Sequence, residues 1–110
     1  MLYPLRSLRW LPLLVALPLQ AIAAPESHQA IRADYRCLGR FDAVDVTALF
    51  FNQPPAELVL LVGEMATRLP QLLSADGGRY GAGNQEFWVK GDRASWRQGS
   101  APPMRCGPRP

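Results

Sequence analysis

Two cysteines, Cys37 and Cys106, are the only ones in a chain of 110 residues, and they stand 69 residues apart. What they can do depends on where the chain folds, and the first residues bear on that. Residues 1–24 read MLYPLRSLRWLPLLVALPLQAIAA. Arg6 and Arg9 make a positive start without an acid, an apolar run follows from Trp10 to Leu19, and Ala21-Ile22-Ala23 offers small residues for a signal peptidase. This is the pattern of a bacterial secretory signal, expected to be cleaved after Ala23. The apolar run is shorter than the ~20 residues a membrane-spanning helix needs. No cysteine lies near the cleavage point to carry a lipid, so the mature protein is expected to be exported without a membrane anchor. A Gram-negative source would make it periplasmic. In an oxidising compartment two lone cysteines read as one disulfide. Closing a ring of this size stabilises a fold by roughly 4 kcal/mol, a large share for a small domain. A redox-active pair is disfavoured, because there is no Cys-x-x-Cys.

The signal also accounts for most of the charge. The whole chain is +3 with a pI near 9.3. Residues 1–23 contain Arg6 and Arg9 and no acid, which leaves ten basic and nine acidic residues, a net +1. The two signs interleave without a basic block, so nothing here points to nucleic acid.

Residues 24–33 are expected to form a flexible tail that carries the only histidine, His28. The folded domain is assigned to residues 34–110. It shows short runs with period-2 features between turn residues, which is a strand pattern. Expected strands are Asp34–Leu38, Val44–Phe51, Glu57–Val62, Met65–Leu69, Arg79–Tyr80, Glu86–Lys90, Arg93–Arg97 and Pro102–Cys106. Val44, Val46, Ala48 and Phe50 share one face of the second, and the third is apolar throughout and expected to be buried. Ala56–Leu73 also satisfies helical spacing, but Gly63 and Pro70 interrupt it. About eight short strands suggest an all-β fold, a small antiparallel barrel or sandwich.

Catalytic signatures are missing. There is no H-E-x-x-H, no Gly-x-Ser-x-Gly, no phosphate loop and no metal-ligand cluster. Asp34, Asp42 and Asp45 are acids near strand ends, where carboxylates are ordinarily just solvated. No enzyme and no cofactor is expected. Lys90 is the only lysine; the other eleven basic residues are arginines. It ends Phe87-Trp88-Val89-Lys90, where alternation puts Trp88 and Lys90 on one face. An ammonium on a flexible stem beside Gly91 suits an acidic cleft, although a single lysine also fits any surface. Trp88 and Trp96 read as packing residues before sugar platforms.

In order, these segments are Tyr35-Arg36-Cys37, Leu69-Pro70-Gln71, Ser74-Ala75-Asp76-Gly77-Gly78-Arg79-Tyr80, Phe87-Trp88-Val89-Lys90-Gly91-Asp92-Arg93-Ala94 and Cys106. The set resembles the MliC/PliC family, proteinaceous inhibitors of chicken-type (c-type) lysozyme from Gram-negative bacteria. The resemblance spans Asp34 to Cys106. It implies a small antiparallel β-barrel of about eight strands closed by one disulfide, and a c-type lysozyme as protein partner. It also implies that a Ser-Gly-x-x-Tyr loop and a lysine before glycine enter the lysozyme cleft and approach its two catalytic carboxylates. Lys90 and Gly91 match the lysine and its glycine, and Gly77 and Tyr80 match the turn. Asp76 stands where the family has serine. A hydroxyl can donate a hydrogen bond to a carboxylate, whereas an ionised aspartate cannot. Asp76 is therefore expected to fold back onto Lys90 or a turn amide, with Ser74 as the nearest other hydroxyl. The lack of a lipid-carrying cysteine aligns the chain with the soluble, PliC-like members. Monomer and homodimer are both compatible with the sequence. The reading from a different class is an envelope module that binds peptidoglycan through Trp88 and Trp96.

Overall fold

The computed structural model describes residues 29–110, so the signal, the cleavage point and His28 lie outside the described residues. Eight strands follow one another: β1 (Ile31–Leu38), β2 (Ala43–Phe51), β3 (Glu57–Val62), β4 (Met65–Leu72), β5 (Gly78–Ala82), β6 (Gln85–Lys90), β7 (Arg93–Gln98) and β8 (Met104–Pro108). Each pairs antiparallel with its sequence neighbour, and β8 pairs with β1, so the sheet is a closed up-and-down barrel with no free edge.

Turn chemistry explains the meander. β3–β4, β5–β6 and β6–β7 are joined by Gly63-Glu64, Gly83-Asn84 and Gly91-Asp92. The glycine has φ near +60° in all three, and the residue after it does not have positive φ. That is the type II′ hairpin, whose twist matches the strands it joins. Gly63 thus settles the 56–73 region as a hairpin rather than a helix.

Alternation fills the interior. Tyr35, Cys37, Val46, Ala48, Leu58, Leu60, Leu69, Tyr80, Phe87, Trp96 and Cys106 are buried there. An eight-stranded barrel is just wide enough for such side chains to fill it. Tyr35 meets Phe87 edge-on across the lumen at 5.5 Å between centroids, and Phe50 meets Tyr80 at 5.7 Å. Burial raises both tyrosine pKa values above the ordinary 10.0, with Asp92 adding to the effect at Tyr35.

The seam between the first and last strands is fastened twice. Cys37 and Cys106 face each other in the β1–β8 ladder and form the disulfide. On the outer wall the Arg109 guanidinium lies 3.0 Å from Asp34 and 3.6 Å from Asp45, while its amide donates to the Asp34 carbonyl. Asp34 also accepts from the Thr47 hydroxyl, and Arg36 donates to Asp45. These bonds hold both carboxyls below the usual 3.8, Asp34 chiefly through Thr47 and Asp45 chiefly through Arg36. Both acids are therefore structural ties between β1, β2 and the residue that follows β8.

Four expectations need correcting. β1 begins at Ile31, opposite Phe50, so the last three residues of the expected tail belong to the barrel. β3 is not buried on both sides: Leu58 and Leu60 are inside, while Val59 and Leu61 lie half-exposed on the outer wall. β4 runs through Pro70 to Leu72, because the β4–β5 ladder covers only Gln71 and Leu72 and a proline is tolerated where pairing is one-sided. β8 starts at Met104, after the Pro102-Pro103 loop, and continues past Cys106.

Candidate functional site

The barrel rim formed by the end of β6 and the β4–β5 connection gathers most of the residues singled out above. Lys90 is the last residue of β6, paired with Arg93 across the Gly91-Asp92 turn. Its position at the rim follows from that tight turn, which Gly91 permits with φ of 62°. Phe87 and Val89 point inward or half inward, so Trp88 and Lys90 share the outer face of β6, as the alternation required.

Lys90 is 55% exposed at its side chain, and its Nζ lies 4.6 Å from the centroid of the Trp88 ring. Arg79, opposite Trp88 in the ladder, places its guanidinium 5.5 Å from the same ring. The indole thus carries two cations, an arrangement worth ~0.5–1 kcal/mol per contact at exposed sites. On the side of the turn, the Asp76 carboxylate stands 3.5 Å from Lys90 Nζ and is 72% exposed. The predicted fold-back of Asp76 onto Lys90 is present.

The turn itself is clamped through its backbone. Trp88 Nε1 donates to the Asp76 carbonyl at 2.8 Å. The Ser74 hydroxyl donates to that same carbonyl at 2.6 Å and accepts the Asp76 amide at 3.2 Å. Ser74 is thereby turned inward and spends its hydroxyl on the loop. Gly77 follows at φ 69°, and a Cβ there would collide with the Val89 carbonyl oxygen. Only glycine lets the turn lie this close to β6. Asp76, Gly77, Lys90 and Gly91 therefore form one cluster at the rim.

Tyr80 is placed differently. It is 5% exposed, packs on Phe50 inside the barrel, and its ring edge lies under Gly78. It supports the turn from within rather than standing at the surface. Trp96 is equally buried and donates to Gln85; what little surface it keeps lines the hollow between the β1–β2 and β7–β8 loops, away from Lys90. Leu73, 93% exposed immediately before the clamped turn, was not apparent from the sequence, where it counted only as a possible helix position. Its signal was an apolar residue next to a turn with no partner in the alternation of β4.

Chemically the rim offers a held cation, a neighbouring carboxylate and an exposed leucine. Among the described residues no three His, Cys, Asp or Glu side chains gather as metal ligands. Such a rim can recognise a surface of complementary charge.

The sequence profile of the family described as "MliC: Membrane-bound lysozyme-inhibitor of c-type lysozyme" matches residues 35–105. The chain belongs to the MliC family. Among solved structures, it is similar to Pseudomonas aeruginosa MliC in complex with hen egg white lysozyme, at 19% identity and a TM-score of 0.51. That alignment covers 96% of this chain and all of the other. At this identity the likeness speaks for the barrel and not for individual contacts. No curated protein sequence matches.

Proposed function

We propose that this MliC-family protein is a periplasmic inhibitor of c-type lysozyme that binds the enzyme by inserting Lys90 and the Ser74–Gly78 turn into its active-site cleft. One observation carries the reading. The chain's only lysine is held at the rim between the Trp88 ring and a turn whose close approach only Gly77 permits. Its target is a glycosidase, whose chemistry needs two carboxyl groups flanking the scissile bond. An ammonium presented there pairs with them and keeps substrate out. Leu73 adds apolar contact beside the turn. The protein acts by occupation and has no catalysis of its own.

The family description says membrane-bound, but both cysteines of this sequence are joined to each other and neither is left to carry a lipid. This supports a soluble periplasmic protein released by signal cleavage. The peptidoglycan-binding reading loses its footing, since Trp96 is interior and the Trp88 ring is occupied by Arg79 and Lys90.

The test is a cell-wall turbidity assay in which the exported protein is titrated against hen egg white lysozyme. Stoichiometric inhibition by the wild type, with about 30-fold or more of Lys90→Ala needed for the same effect, is the expected result. Full inhibition by the mutant at the wild-type dose, or none by the wild type, would overturn the reading.

A further inference from the structure

Asp76 gives the rim a property that a hydroxyl would not. A hydroxyl both donates and accepts, so it can face a carboxyl group in either protonation state. A carboxylate only accepts. It is satisfied opposite a protonated acid and repelled by an ionised one. In this chain no other hydroxyl substitutes at the turn, because Ser74 is bonded to the Asp76 backbone in both directions. The Asp76 carboxylate is also in place before any encounter, 3.5 Å from Lys90 Nζ.

The two side chains thus present a minus and a plus next to each other. A retaining glycosidase at work presents the matching arrangement, one carboxyl protonated as general acid and one ionised, about 5–5.5 Å apart. We propose that Asp76 is a specificity-determining residue that selects the working protonation state of the target. The target's protonated acid donates its hydrogen bond to Asp76, while Lys90 pairs with the ionised carboxylate. This rests on the inhibitor reading above and adds to it a pH dependence that resides in the enzyme's proton. The charged groups facing Asp76 are Lys90 from β6 and, beyond the Trp88 ring, Arg79 from β5; Asp92 and Arg93 flank Lys90 across the turn. Histidine, the side chain that ordinarily titrates near neutrality, is absent from the described residues.

The experiment is calorimetric titration of hen egg white lysozyme with the exported protein at pH 5, 6, 7 and 8. The lysozyme general acid has a pKa of about 6. Binding restricted to its protonated form weakens about tenfold per pH unit above that, approaching about a hundredfold at pH 8. Asp76→Ser and Asp76→Asn are expected to hold Kd within about threefold across the series, the scale of an exposed pair. A lysozyme whose catalytic glutamate is replaced by glutamine supplies a permanent donor and is expected to remove the pH dependence with Asp76 intact. A wild-type profile that is flat, or parallel to that of Asp76→Ser, overturns the role of Asp76 while leaving the inhibitor reading in place. No binding by wild type and by both variants, each folded by circular dichroism, overturns both.

Discussion

The two ends of this barrel make opposite use of similar material. At the end away from Lys90, the β1–β2 and β7–β8 loops surround a hollow of about 820 Å³ lined by residues such as Leu38, Asp42, Pro102, Pro103 and Met104. Phe41 stands 92% exposed beside it. The hollow beside Lys90 is smaller, about 320 Å³ lined by Trp88, Lys90, Arg93, Ala94 and Ser95. The turn at that end is braced internally by two Ser74–Asp76 hydrogen bonds, tied to β6 by the Trp88 bond to the Asp76 carbonyl, and projects side chains outward. For an enzyme the hollow would be the natural place to look. For a protein that fills another protein's cleft, the informative end is the one whose exposed charges stand on a hydrogen-bonded turn. Rigidity there has a direct use, since a turn held before the encounter loses little freedom on binding.

The largest expected effect tests what both ends share. Replacing Cys37 and Cys106 together by alanine opens the β8–β1 seam and is expected to cost about 4 kcal/mol in urea unfolding. Both ends should fail in one transition. Two separate transitions would show that the seam serves only one of them.

Lys90→Ala separates the ends. Removing a charge that is paired in an interface costs about 2–4 kcal/mol, so affinity for hen egg white lysozyme should fall about 30-fold or more. Its melting temperature should stay close to that of the wild type, because an exposed pair adds at most about 1 kcal/mol to stability. Phe41→Ser, at the hollow end, serves as the control and should leave affinity unchanged. Comparable losses for both would erase the distinction.

Gly77→Ala probes rigidity itself. Positive φ disfavours alanine by about 1–2 kcal/mol, and the collision with the Val89 carbonyl adds to it. Gly91→Ala meets only the first penalty, since nothing stands near its missing Cβ. Weaker inhibition by Gly77→Ala than by Gly91→Ala is expected in the turbidity assay.

The smallest effect concerns the seam's outer wall. Asp34 and Asp45 have pKa values lowered from 3.8 in the folded state. Their stabilisation is therefore complete above that value and is lost as pH falls through the lower folded values. The thermal unfolding temperature should fall as the pH drops below about 4, and the Asp34→Asn, Asp45→Asn double variant should show a shallower acid decline.

Much of this was legible in the residues. Gly63 and Gly91 marked turns, and alternation grouped Val46 with Ala48 and Trp88 with Lys90; the barrel puts the first pair inside and the second on its outer face. The resemblance pointed to the rim. What alternation alone could not supply was pairing between distant segments. Pro70 looked like a strand end because nothing in its neighbourhood says that β5 is short there. Ile31 looked like tail because its partner, Phe50, is nineteen positions away. Tyr80 sits in the same motif as Gly77, yet one faces the rim and the other the lumen. The Ser74 hydroxyl bonds and the Trp88 clamp depend on how the turn folds over β6, which no local pattern encodes.

The β1–β8 ladder sets Tyr35 opposite Pro108, so the chain enters and leaves the barrel side by side. Every other junction joins sequence neighbours. The molecule is therefore a ring of strands in which the starting point is arbitrary. A circular permutant that links the native ends and opens at Gly63-Glu64, on the far side from Lys90, would keep every strand neighbour and leave the rim continuous.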